Sequence, residues 1–215
     1  MSILFLSTIR TLVRSSLNET SSTPITDTEL NAIANDGYVN VAVKGLCYEE
    51  KISISNIPDN IDLIPLSGYN IVRVNYIEYA TNTPPTGMIC VNPQAIGHIT
   101  IDTYYPQFWF QWGNYIKIEP LPDLSTYDLN LYTANYPSIA MVSDTDTPLF
   151  LPPEFHECVY LYTLAFSCFK LRRWDDAINN YNRYSESIQL KRMEYVSKFP
   201  EVRSIMDLPK NVKSV

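Results

Sequence analysis

The chain has 215 residues, a formal net charge of −7, 46% hydrophobic residues and six glycines. That length suffices for one domain, or for a core with an inserted subdomain, and can bury a substantial apolar interior. The acidic balance argues against a nucleic-acid-coating protein, which would carry a basic face, and so few glycines leave little material for a phosphate-cradling loop.

The charge is uneven. Residues 1–50 carry three basic and six acidic side chains, 51–152 three and nine, and 153–215 ten and eight. An acidic middle and a mildly basic C-terminal part imply two surfaces of different character. The low charged fraction, 18%, with 16 Tyr and 15 Pro, fits a neutral, aromatic surface suited to protein contact. Cys47, Cys90, Cys158 and Cys168 form no C-x-x-C pair and lie in apolar settings, which reads as buried free thiols in a reducing compartment. No stretch is continuously apolar over about 18 residues. Arg10 and Arg14 interrupt the N-terminal apolar run, which therefore reads as a mature cytoplasmic start rather than a signal peptide.

Along the chain, Ile3, Leu6, Ile9, Val13 and Leu17 fall at helical spacing over residues 3–17. After a polar turn, Thr26 and Glu29 form a capping-box pattern that opens a second helix. Its expected buried face is Leu30, Ile33, Ala34, Gly37, Val41 and Leu46, with Gly45 as its terminator. From Lys51 the period changes to two. Alternation at Ile52–Ile57, Val72–Tyr76, Ile99–Thr103, Tyr115–Ile118 and Leu129–Thr133 predicts short strands, with Gly- and Pro-rich turn clusters between them. The run Tyr104–Trp112 holds six aromatics in nine residues. It reads as strands filling a small sheet's core, as a protein-contact loop, or as a stacking platform for sugars or bases.

Phe155–Leu171 carries apolar residues on two neighbouring helical faces, more than the roughly 100° stripe of a surface helix. Such a helix has to be covered on most sides. Pro152, Pro153, Glu154 and Glu157 suit its start, and Lys170, Arg172 and Arg173 its end. A further helix follows, with Trp174, Ala177, Ile178, Tyr181, Tyr184, Ile188 and Tyr195 on its inner face, and Pro200 stops it. The expected fold is α+β: a four-helix bundle core with an antiparallel β insertion between the second and third helices, and an extended C-terminal tail. The corresponding divisions are 1–50 with 148–200 as helical core, 51–147 as β-rich insertion and 201–215 as docking tail.

Catalytic signatures are weak. His156-Glu157 lacks the second histidine of a zinc protease, since Tyr160 stands there. His98 lies in a β segment, and both histidines read as structural. Asp144-x-Asp146 lacks the glycine and distal glutamate of a calcium loop and reads as a solvated linker. No G-x-S-x-G occurs. The expectation is a non-enzyme with no cofactor and no metal.

The order of several phrases resembles the head-to-tail adaptor, or connector, proteins of tailed bacteriophages. They are TLVR at 11–14, TELN at 28–31, NDGYV at 35–39, IP at 64–65, IVRV at 71–74, GNYIKI at 113–118, PLP at 120–122, YDLNLYTA at 127–134 and LPPEFH at 151–156. The likeness covers about residues 8–190. It implies a structural virion protein, a homo-oligomeric ring of about a dozen copies between portal protein and tail or tail-hub proteins. That ring extends the channel for double-stranded DNA, which passes without sequence-specific binding. It also implies a place in the virion neck after assembly in the host cytoplasm; that nothing spans a membrane is expected from the lack of a long apolar stretch.

On that reading the subunit or portal interface comprises Phe155, Val159, Tyr162, Phe166, Phe169, Trp174, Tyr181 and Tyr184, with Met206, Leu208 and Pro209 in the tail. Contact with tail proteins or a neighbour falls to Tyr105, Phe108, Trp109 and Trp112. Two other readings stay open. Leu161, Leu164, Ala165, Cys168, Ala177, Tyr181 and Tyr184 approximate one helical repeat of a peptide-binding array. The strands would also suit a β-sandwich module that binds peptide or carbohydrate.

Overall fold

The computed structural model describes residues 3–19, 24–96, 105–122 and 124–198. In chain order the elements begin with α1 (Leu6–Ser16), α2 (Asp27–Gly45), β1 (Glu49–Pro58), β2 (Leu63–Pro65), β3 (Ile71–Tyr79), β4 (Thr86–Gly87) and β5 (Ile89–Cys90). They continue with α3 (Pro93–Ile96), β6 (Phe108–Trp112), β7 (Tyr115–Glu119), β8 (Thr126–Asn135), α4 (His156–Lys170) and α5 (Trp174–Lys198). Two compact units result. One ends its first stretch at Tyr48 and resumes over Asn135–Lys198; the other is Glu49–Ala134.

In the helical unit, α1 buries Leu6, Ile9 and Val13, with Leu17 just beyond, the three- and four-residue spacing of one helix face. No side chain caps its start. The backbone of a distant loop does so instead: Leu6 N–H donates to the Asp146 carbonyl at 2.8 Å and Ser7 N–H to the Asp144 carbonyl at 3.2 Å. These bonds satisfy donors that a helix's first turn leaves unpaired. α2 opens with a reciprocal box in which Glu29 N–H donates to Thr26 Oγ1 at 3.3 Å and Thr26 N–H to Glu29 Oε2 at 2.8 Å. It is terminated by Leu46, in the left-handed conformation at φ 49°, and not by Gly45. Gly45 serves close packing: a Cβ there would stand 3.0 Å from the Phe155 ring.

α4 packs against α1, α2 and α5. Cys158, Val159, the run Leu161 to Ala165, Ser167 and Cys168 are all buried, so the helix shows no continuous outward face. Thr163 and Ser167 satisfy their hydroxyls on carbonyls four residues back, Val159 and Thr163, both at 2.7 Å. α5 turns Ala177, Tyr184 and Ile188 inward.

The β unit has two four-stranded sheets, ordered β1-β8-β3-β4 and β2-β7-β6-β5. Their facing residues share one core. Val74, Ile77, Tyr127, Leu129 and Leu131 come from the first sheet and Ile64, Trp109, Ile116 and Ile118 from the second. Gln111 links the sheets, accepting Val74 N–H at 3.3 Å.

The expected four-helix bundle core with an antiparallel β insertion is therefore incorrect. Among the described residues eight strands, in two sheets, carry a core of their own, and β5 pairs with β6 in parallel. The strands β2, β4 and β5 span only two or three residues, too short to show a period, and without them the two-sheet arrangement was hidden. The expected strand at 99–103 and the tail at 201–215 lie outside the described residues.

Candidate interaction surfaces

The chemically suggestive groups have structural tasks. His156 is buried; its Nδ1 accepts Leu4 N–H at 3.2 Å and its Nε2 faces the Leu151 carbonyl at 3.1 Å. That arrangement needs a neutral ring with the proton on Nε2, and burial holds its pKa below the usual 6.5. Asp146 Oδ2 accepts the N–H groups of Val142 and Ser143, both at 2.7 Å, folding the loop whose carbonyls cap α1. Those bonds lower its pKa. Asp144 pairs with Arg10. Both carboxylates of the Asp144-x-Asp146 motif are thus engaged within the chain. Cys47, Cys158 and Cys168 are buried thiols, whereas Cys90 is exposed, contrary to expectation. No group of three or more His, Cys, Asp or Glu placed to hold a metal occurs among the described residues, and no helix among them is long and apolar enough to cross a membrane.

What remains are surfaces. In the second sheet, directly opposed residues share a face. Trp109 opposes Ile118 on the inner face. The other face reads in rows: Pro65, Tyr115 and Trp112; then Leu63, Lys117 and Phe110, the last of them buried; then Glu119 and Phe108, with Ile89 beyond. Trp112 is 70% exposed and Tyr115 49%. The Gly113–Asn114 turn joins them, with Gly113 at φ 57°, the glycine-first form of a tight hairpin. Lys117 is held between Glu119 at 2.9 Å and Asp62 at 3.5 Å, which raises its pKa.

The four expected contact residues of the aromatic run divide. Trp109 is core, Phe108 half-buried, and Tyr105 and Trp112 exposed; Tyr104 lies outside the described residues.

On the helical unit, Phe155, Val159 and Tyr184 are fully buried and Tyr162 nearly so. Tyr162 stacks on Phe166 at 4.3 Å between centroids and meets Tyr184 edge-on at 5.4 Å. Phe166 and Tyr181 are half-buried beside them, with ring centroids 6.3 Å apart. Lys44 lies over the rings of Tyr181 and Tyr184 at 5.6 and 5.3 Å. Phe169 is half-buried and touches Trp174, which is 59% exposed. Met206, Leu208 and Pro209 fall outside the described residues. Sequence reasoning missed Leu190 and Met193, both exposed on α5, and assigned the exposed Trp174 and Ile178 to the inner face. Ile178 lies four residues after Trp174, a spacing that by itself places the two on one helix face.

No curated protein matches this chain. Compared with protein families, it matches the SU10 adaptor protein family over residues 6–203. Since that match takes in both units and every helix and strand described above, the chain belongs to the SU10 adaptor protein family and is a structural head–tail adaptor of bacteriophages.

Proposed function

We propose that this adaptor assembles with itself into a ring of about a dozen copies in the virion neck, docked between portal and tail proteins, where it extends the DNA channel and does no catalysis. The family match carries the adaptor part. The ring is supported by exposed apolar side chains on α5, where Trp174, Ile178, Leu190 and Met193 project away from the buried Ala177, Tyr184 and Ile188. Exposed aromatic and aliphatic groups of this kind anchor protein interfaces. The subunit contact is accordingly assigned to Trp174 and Ile178 with the half-buried Phe166, Phe169 and Tyr181. Phe155, Val159, Tyr162 and Tyr184 support it from the core. Residues 201–215, with Met206, Leu208 and Pro209, are assigned to portal docking from their sequence. Three basic against nine acidic side chains in residues 49–134 suit a wall that DNA passes without being held, because each neutralised phosphate would add salt-dependent affinity.

The test is cryo-electron microscopy of the chain mixed with the portal protein of its own phage, with the chain alone as control. A ring stacked coaxially on the portal is expected. Two components that never associate, with the chain monomeric, would overturn the proposal. Deleting residues 201–215 is expected to leave a folded protein that no longer joins the portal; retained binding would remove the tail's assigned role.

A further inference from the structure

The exposed end of the β unit's second sheet combines two properties that select a partner. The first is a fixed aromatic pair. Trp112 and Tyr115 face each other across a hairpin whose two-residue turn sets their register, and both remain exposed beside Leu63 and Pro65. Aromatic rings held on paired strands lose little freedom on binding, which makes them effective anchors.

The second is the sign of the surroundings. Among the described residues of these rows Lys117 is the cation, and its ammonium is already taken by Glu119 and Asp62, leaving two partly exposed carboxylates against one charge; Arg73 of β3 is close enough to act on the Cys90 thiol of β5, beyond the Ile89 end of the rows. Lys51, elsewhere in the unit, lies over the Tyr132 ring at 5.6 Å. The nine acidic side chains of residues 49–134 outnumber the three basic ones. A phosphate-bearing ligand would meet repulsion here. A guanidinium or ammonium would find the opposite: a π face to sit on and carboxylates to pair with.

We propose that the Trp112–Tyr115 pair with Asp62 and Glu119 is a docking surface for a cationic polypeptide segment, an arginine- or lysine-bearing loop or strand of another protein. This goes beyond the adaptor reading and does not depend on ring formation, because it concerns one face of one unit.

The test is an NMR titration of the full chain with a tetra-arginine peptide and with its uncharged tetra-citrulline counterpart, each at low and at raised salt. The arginine peptide should shift the Trp112 indole signal saturably and bind less tightly as salt rises. The citrulline peptide should leave the signal in place. Read on the backbone amide of Tyr115, which every variant keeps, Trp112→Ala should weaken the arginine peptide by about threefold to fivefold, the worth of one exposed cation–π contact, while Trp174→Ala changes nothing. Trp112 is exposed, so its variant should fold, which circular dichroism checks. Binding unaffected by Trp112→Ala would mean diffuse acidity and overturn the proposal. Equal binding of the citrulline peptide would overturn it too, and so would self-association of the chain that Trp112→Ala abolishes, which would place a second copy on the patch.

Discussion

Gly37 of α2 lies directly beneath the ring of Tyr162 on α4: a Cβ built on it would stand 2.8 Å from Tyr162 Cδ1. The ring has little room to yield, since it is stacked on Phe166 and meets Tyr184 edge-on. In an exposed helix, Gly→Ala would gain about 1 kcal/mol. Here overpacking of about 1–3 kcal/mol opposes that gain. Gly37→Ala is therefore expected to lower stability by roughly 1 kcal/mol in urea denaturation, and Gly37→Val by more. A stabilised Gly37→Ala variant would show that the two helices separate at little cost.

Acid should weaken the hold on the N-terminal segment. His156 has its pKa depressed by burial, so the unfolded chain binds a proton that the folded chain refuses. Its contribution is complete above about pH 6.5 and falls away as pH drops through the lower folded value. Glutamine can accept from Leu4 N–H and donate to the Leu151 carbonyl without titrating. His156→Gln should then flatten the loss of stability between about pH 7 and pH 5. Glu29, held down to about 2 by Lys170 and Thr26, titrates well below that window. An unchanged slope in the variant would assign the acid sensitivity elsewhere.

The sequence disclosed the elements whose signal is local. The α2 capping box rests on Thr26 and Glu29, three residues apart, and both bonds form. The α4 signal, apolar residues on two adjoining faces, matches the enclosure of Cys158 to Cys168. What stayed hidden depended on distant partners. Nothing near Phe5 signals that α1 is capped by Asp144 and Asp146. Composition alone could not divide the aromatic run, because only the pairing of Trp109 with Ile118 and of Trp112 with Tyr115 sends one indole inward and the other out. Gly45 looked like a stop signal, yet the left-handed residue is Leu46, and Gly45 is small because Phe155 lies against it.

The turn between α4 and α5 can be improved. Arg172 takes φ 59° there, a conformation that suits glycine. Its backbone N–H donates to the Phe169 carbonyl at 3.0 Å, a bond that glycine would keep, and its side chain is exposed. Relief of the left-handed strain is worth about 1–2 kcal/mol, partly offset by the greater freedom of glycine in the unfolded chain. Arg172→Gly is expected to raise the melting temperature by a few degrees. A lowered one would mean that the Arg172 side chain contributes more than its exposure suggests.

The loop that caps α1 makes the last prediction. Leu6 and Ser7 donate to carbonyls of Asp146 and Asp144, and Ser7 Oγ adds a bond to the Asp144 carbonyl at 2.9 Å. The Asp146 carboxylate gathers the N–H groups of Val142 and Ser143 and so folds the loop that presents those carbonyls. Asp146→Ala removes that organiser without touching α1 or any core residue. Hydrogen exchange at Leu6 and Ser7 should then accelerate selectively, while amides of α4 keep their protection, because opening stays local when the buried contacts of Leu6, Ile9 and Val13 are intact. Asp146→Asn keeps one accepting oxygen and should fall between the two. If Leu6 and Ser7 exchange in Asp146→Ala as slowly as in the parent, the loop holds its shape without the carboxylate. The trans cap would then rest on the remaining contacts, chiefly the pairing of Arg10 with Asp144 and the double hydrogen bond between the Asn35 side chain and the Met141 backbone.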